Sequence, residues 1–357
     1  MEGQITEWKE TWRDDRLKTI RAFANASTGT LKIERHDDGE MVGLCHIRRL
    51  LVFLFISLFA LVPRHTLAGQ TARQADAAPP KRVVSQTVGT DDILLALAGP
   101  SQIAALSHLA HDPLYAPDAE LAKRYPKLKG SSAEDILRFK PDLVLMAAFS
   151  PPDSVSILKK SGVRLYILDK YETLEDVYAS LRQLGDLLGR RQRAEDVIAS
   201  CRSRVSSLAN VLKGEKPVRV LSAGVYPYIS GSNTSFQDLC DHAGAVNVAA
   251  EAGINGVAPI LPEKLLTWKI DFLVGPTEHR PNEAGPQLID RMRDIAPFRF
   301  LQAYKQGRVV EIPGALFAST SHHRITAYEI LAHALHPERF KDAVPKAAKP
   351  VVTGSDV

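Results

Sequence analysis

Apolar residues along the chain fall into two alternating rhythms. Apolar-rich segments at 82–86, 103–107, 143–147 and 163–168 read as strands, and the segments 93–97 and 155–160 between them read as helices. Gly89-Thr90-Asp91-Asp92 supplies turn and cap chemistry ahead of the first helix, and Gly99-Pro100 ends it. Strands alternating with helices this closely predict a parallel sheet in an α/β layout. Between 173 and 213 the strand signal stops. Leu174, Val177, Leu181, Leu184, Leu187 and Leu188 recur at helical spacing, as do Ala194, Val197, Ile198 and Val205, with Gly189 as a break or bend. The first rhythm then returns, with strands at 218–222, 272–274 and 308–312 and helices at 234–242 and 325–335.

One pattern occurs in both halves. Glu134-Asp-Ile-Leu-Arg-Phe-Lys-Pro-Asp142-Leu-Val-Leu145 returns as Glu263-Lys-Leu-Leu-Thr-Trp-Lys-Ile-Asp271-Phe-Leu-Val274. Each copy sets a Glu eight positions before an Asp, with an apolar pair, an aromatic and a Lys at matching places between them. The physical reading is a short amphipathic helix, a tight turn and a buried strand. Two copies a domain's length apart predict two lobes of like architecture rather than a solenoid, which needs many close repeats.

Composition changes this picture little. At 357 residues, with 45% hydrophobic and 24% charged content, the chain has room for two proper cores. Its formal charge of +4 comes from scattered Lys and Arg, so nucleic acid is not an expected partner. The N-terminal region is more informative. Arg48-Arg49, an apolar stretch over 50–62 and Thr66-Leu67-Ala68 have the order of a secretory signal, and the stretch is shorter than the roughly 20 residues that span a bilayer. An uncleaved membrane anchor is the alternative. Residues 1–40 are hydrophilic and sit oddly ahead of a signal, so Met41 is a candidate start. Of three cysteines, Cys45 lies in the signal; Cys201 and Cys240 fall in helical-looking segments, which makes two buried thiols the simpler expectation and leaves a disulfide open. The expected organisation is a leader (1–40), a signal peptide (41–68), a linker (69–81), an N-terminal α/β lobe (82–172), a connecting helix (173–213), a C-terminal α/β lobe (217–340) and a tail without a core (341–357).

The order of these segments resembles a known family. Arg82-Val-Val-Ser, Thr90-Asp-Asp-Ile-Leu-Leu-Ala-Leu97, Lys129-Gly-Ser-Ser-Ala-Glu134-Asp-Ile-Leu and Lys140-Pro-Asp-Leu-Val144 are similar to the first lobe of ABC-importer substrate-binding proteins for iron–siderophores, haem and cobalamin. Gly231-Ser-Asn-Thr-Ser-Phe-Gln-Asp-Leu239, Ala243-Gly-Ala-Val-Asn247 and Arg324-Ile-Thr-Ala-Tyr-Glu-Ile-Leu-Ala-His-Ala-Leu-His-Pro-Glu338 resemble its second lobe and terminal helix. The resemblance covers most of residues 82–340. It implies two α/β lobes with parallel-type central sheets, joined by one long rigid helix and holding a ligand in the cleft between them. It also implies a monomer in the periplasm that binds a small-molecule metal chelate, passes it to a membrane permease dimer, and has no cofactor and no enzymatic activity. By motif position it makes Glu134 and Glu263 the permease-docking residues; the plainer alternative is that each only caps its helix.

Ligand contacts in such lobes come from loops at the carboxyl ends of strands. Those loops offer Gln86, Thr87, His108, His111, Tyr115, Phe149, Tyr171, Tyr226, Tyr228, His279, Arg280, His322, His323 and Arg324, an aromatic and cationic set suited to a bulky, planar or anionic chelate. No metal ligands are assigned: His108 and His111 are three apart, His322 and His323 adjacent, and neither spacing is by itself a metal motif. Two alternatives stay open, a carrier of bare zinc or manganese and a chelatase-like enzyme. Against the second, the sequence has no nucleophile elbow, phosphate loop or metalloprotease motif.

Overall fold

Each lobe begins with a strand whose two faces bury into different layers. In the computed structural model, which describes residues 78–224, 226–281 and 283–341, strands β1 (Val83–Ser85), β2 (Ile103–Ala105), β3 (Leu143–Ala147) and β4 (Arg164–Leu168) form a parallel sheet in the order β2-β1-β3-β4. The leader and signal expected at 1–68, most of the linker and all but the first residue of the tail lie outside the described residues. In the second lobe β5 (Val218–Ser222), β6 (Tyr228–Ser230), β7 (Ala245–Asn247), β8 (Val257–Pro259), β9 (Phe272–Thr277) and β10 (Val309–Pro313) follow. The main sheet there runs β7-β5-β9-β10, again parallel, so the first four sheet strands of both lobes take the same spatial order. Strands β6 and β8 pair antiparallel as a separate ribbon. At three residues each, one ending in Pro259, they carry too little periodicity to be read from sequence.

Alternation along the strands sorts side chains into layers. Val83, Leu143 and Leu145 face a large cluster that also holds Val220, Val274, Ile325 and Leu331, so one core runs through both lobes. Val84, Val144 and Met146 face the outer layer of the first lobe, against Leu128, Ile136 and Leu158. Leu221 and Leu273 do the same in the second, against Leu265, Leu288 and Phe298.

The repeated pattern occupies these outer layers. Ile136, in helix Ala133–Leu137, and its counterpart Leu265, in helix Pro262–Leu265, are both fully buried, and Phe139 and Trp268 pack partly buried beside them. The aspartates latch each third strand to the first. Asp142 accepts from the backbone N–H groups of Lys81 (2.7 Å) and Arg82 (3.0 Å), and Asp271 accepts from that of Arg219 (3.2 Å). Arg82 and Arg219 answer by donating from Nε to carbonyls of the turns at Phe139 and Lys269 (3.1 and 2.8 Å). Two lobes thus close the same helix–turn–strand joint with the same reciprocal Asp/Arg arrangement.

The connection between lobes is one long helix, but it is shorter than 173–213. Helix Leu174–Leu187 ends in a turn, and helix Arg191–Val211 follows with 21 residues, about 31 Å at the usual rise of ~1.5 Å per residue. The break is a Schellman stop: Gly189 adopts φ +68°, the Arg190 N–H reaches Gly185 O and the Gly189 N–H reaches Asp186 O. Arg193 donates to Ala96 O in the first lobe, and Arg204 forks onto Glu329 with a third bond to Thr326 in the second. A helix pinned to both lobes is a stiff spacer. Cys201 and Cys240 are free and buried, and none of the described helices is long and apolar enough to cross a membrane.

Asp142→Ala removes two backbone acceptors at an exposed joint and is expected to cost about 1 kcal/mol in chemical denaturation, with Asp271→Ala costing the same or less because it removes one.

Candidate functional site at the lobe junction

A buried ion pair organises the junction. Asp238, in helix Ser235–His242, accepts from Arg324 Nη1 (3.1 Å), from the Leu174 N–H (3.0 Å) and from the Tyr328 hydroxyl. Arg324 also donates to the carbonyls of Tyr171 (2.6 Å), Glu172 (3.2 Å) and Ser319 (3.1 Å). The chain leaving the first lobe, a helix of the second lobe and the terminal helix Arg324–Leu335 therefore meet at one buried guanidinium–carboxylate contact. Held by it, residues 319–323 run along the cleft.

Opposite them stands helix Val88–Leu97. Its cap is Thr87, in a capping box with Thr90, not the Gly89–Asp92 segment, which lies inside the first turns. Gly89 is forced by proximity: a Cβ there would lie 1.9 Å from Thr320 Oγ1 of the other lobe. Asp91 and Asp92 are buried. Asp91 accepts from the Ser107 N–H (3.0 Å) and Oγ (2.5 Å), and burial pushes its carboxyl up to about 7. Asp92 accepts from Ser321 Oγ (2.8 Å) across the junction and is likewise raised by burial to about 7.

A cleft of about 330 Å³ opens above this contact. Gln86, Thr87, His108, Tyr115 and Phe149, all singled out from the sequence, line it, together with Asp92, Ser107, Ser131, Ser150, Ser319 and Thr320, which were not. Tyr115 is 47% exposed and Phe149 40% exposed, and Tyr171 backs Phe149 edge-on at 6.0 Å. Burial first, then Lys127, lowers the pKa of His108 and keeps it neutral near pH 7. The hydroxyls went unnoticed because isolated serines carry no sequence signal, and Asp92 because it reads as cap chemistry.

The other expected contacts sit elsewhere. His111 is bonded through Nε2 to the carbonyls of Ala122 (3.0 Å) and Tyr125 (3.1 Å). Tyr226 packs edge-on against Phe298 at 5.4 Å, and Tyr228 lies in β6. His279 is half-buried beside Arg280, which clamps Asp112 of the first lobe through two bonds of 2.9 and 2.7 Å and holds its carboxyl below the usual range. Arg324 is spent in the junction. Among the described residues no Lys or Arg lines the cleft, so the cationic character expected of it is not seen there. The rings of His322 and His323 lie tilted against each other with centroids 4.2 Å apart; burial lowers the former's pKa to about 3. His323 pairs with Asp118 at 2.9 Å. Burial alone would lower the His323 pKa, but Asp118 and Asp92 raise it overall.

Glu134 and Glu263 are exposed in the first turns of their helices. The N-cap of Glu134's helix is Ser132, which accepts from the Asp135 N–H (3.2 Å), and Glu263's helix starts with Pro262. Among the described residues neither glutamate carboxylate takes part in a hydrogen bond or ion pair, so neither serves as a cap.

Residues 83–316 match the model of a family described as periplasmic binding protein, and the chain belongs to it. An ABC transporter substrate-binding lipoprotein of Bacillus subtilis is 21% identical over 272 residues, 74% of this chain and 82% of the relative. A vitamin B12-binding protein of Pectobacterium atrosepticum is 26% identical over 196 residues, 53% of this chain and 69% of the relative. The apo periplasmic haem-binding protein RhuT of Roseiflexus shares the fold at a TM-score of 0.61 and 22% identity, covering 72% of this chain and 99% of its own.

Asp238→Ala would strand the buried Arg324 and is expected to cost about 3–5 kcal/mol in urea denaturation. Glu329→Ala, which opens the half-exposed Arg204 pair, is expected to cost under about 1 kcal/mol by the same measurement.

Proposed function

We propose that this periplasmic binding protein is the exported substrate-binding component of an ABC importer, that it carries a small-molecule metal chelate, and that it docks on its permease through Glu134 and Glu263. The observation that carries the cargo reading is the pair of exposed aromatic rings, Tyr115 and Phe149, lining the cleft between the lobes. Rings left in water at such a place stack well on a planar or apolar-rimmed ligand. Relatives whose names state vitamin B12 or haem binding support the same class.

The hydroxyl-rich, cation-free lining favours a chelate of low net negative charge over a strongly anionic one. At about 330 Å³ the cleft is at the small end of ligand sites. A haem- or corrinoid-sized chelate would enter with the Arg280–Asp112 clamp parted. That clamp is a partly exposed ion pair at the rim, which water can replace when it opens.

Docking rests on the two glutamates. Each is a free carboxylate on the outer layer of its lobe, at equivalent places in a duplicated architecture, and each could accept a bidentate arginine from a two-fold partner. Glu134→Ala combined with Glu263→Ala is expected to abolish chelate uptake by cells while leaving ligand affinity within about twofold of wild type. Loss of ligand affinity in the double variant would overturn the docking assignment. Absorbance and metal content of protein purified from its own compartment test the cargo: a Soret band, a corrinoid spectrum or an iron chelate fits, and an empty or colourless metal-free protein that binds none of these chelates does not.

A further inference from the structure

Beneath the cleft, three groups from two lobes converge. Asp92 and Asp118 come from the first lobe and His323 from the second, and one ligand atom of each lies within 4.8 Å of the other two. They are far apart in sequence and meet only because the lobes close on the Asp238–Arg324 contact. His323 Nε2 and Asp118 Oδ2 lie 2.9 Å apart as a hydrogen-bonded pair, so an ion entering between them would displace the shared proton and spread the two groups.

Two carboxylates face one imidazole, and among the described residues neither aspartate pairs with Lys or Arg. The cluster is neutral either with protons on Asp92 and His323 or with a divalent cation in their place. One divalent ion with two carboxylates and a neutral imidazole sums to zero. A separate observation points to the same place. His322, whose ring lies tilted against that of His323 with centroids 4.2 Å apart, has a buried Nδ1 without a hydrogen-bond partner among the described residues. It is an unused imidazole nitrogen beside the cluster.

We propose that Asp92, Asp118 and His323 bind one divalent transition-metal ion of the zinc or manganese type at the lobe junction. Oxygen and nitrogen donors of this kind suit such ions at about 2.0–2.2 Å. Three protein ligands leave coordination positions open to water or to a donor atom of a cleft ligand, because Asp92 also lines the cleft. The ion would bridge the lobes and hold the closed form. This site is independent of the chelate reading: it concerns the bare ion, and either can fail without the other.

The test uses the full chain stripped with a chelator and titrated with Zn²⁺, Mn²⁺ or Co²⁺ alone, with no chelate ligand present. One equivalent should bind and raise the melting temperature. Asp118→Asn and His323→Gln should each weaken binding by more than the roughly 10–100-fold typical of an outer-shell partner, and Asp196→Asn, on the exposed face of helix Arg191–Val211, should bind as wild type does. X-ray absorption of the zinc-loaded wild type should show imidazole nitrogen among oxygen donors, which keeps the proposal testable if a variant fails to fold. No binding of any of the three ions, unchanged affinity in both variants, or an all-oxygen shell would overturn it. So would a melting temperature that follows pH and ignores metal, which would assign the compensating charge to a proton. Chelate binding measured separately on the same variants tells this failure from that of the carrier reading.

Discussion

The Asp238–Arg324 contact is the constraint from which the junction geometry follows. A guanidinium and a carboxylate removed from water cannot be left unpaired, and this pair is completed by three carbonyls, a tyrosine hydroxyl and a backbone N–H. Those partners belong to the exit of the first lobe, the loop at 319 and two helices of the second lobe. Any change in their relative position would break several bonds at once. The 319–323 loop therefore cannot drift, and its contacts with helix Val88–Leu97, Ser321 on Asp92 and Thr320 over Gly89, are held in place.

Stiffness at this point fits the connector. Helix Arg191–Val211 is held near one end by Arg193 and farther along by Arg204, and one hydrophobic cluster runs continuously beneath both lobes. What remains adjustable lies at the rim, where Arg280 and Asp112 make a bidentate but exposed bridge. A hinge rigid at its base and weakly clasped at its mouth admits small openings of the cleft rather than wholesale separation of the lobes.

How much of this was legible in the sequence follows from the range of each signal. The two parallel sheets and the duplicated joint were readable, because apolar runs and the spacing of Glu134, Ile136, Phe139 and Asp142 against Glu263, Leu265, Trp268 and Asp271 are local patterns. The role of the aspartates was not: that each latches its lobe's first strand depends on strand order, which no local pattern states. The helical break was legible as Gly189, though the sequence does not reveal that the bend is a full stop. Five of the fourteen expected contacts line the cleft, and two of those that sit elsewhere show why a loop position is a weak guide. A histidine or arginine in a loop at a strand end looks available, yet His111 is bonded to two carbonyls and Arg324 to three.

That consumption of charge reverses the electrostatic picture of the cleft. Counting loop residues gives a basic, aromatic site; pairing them off leaves neutral His108, two exposed rings, a set of hydroxyls and the carboxyl of Asp92. Arg280 and Arg324 are each paired with an aspartate and Lys127 lies near His108, while Asp92 and Asp118 share a single imidazole. The acidic groups of the junction therefore lie beneath a rim of apolar and hydroxyl groups. Such a layering lets the floor hold a proton or a cation and gives the rim little to offer an anion. A cargo whose metal centre points toward the floor and whose ring lies along Tyr115 and Phe149 would satisfy both layers at once, whereas a carboxylate-rich ligand would meet neither.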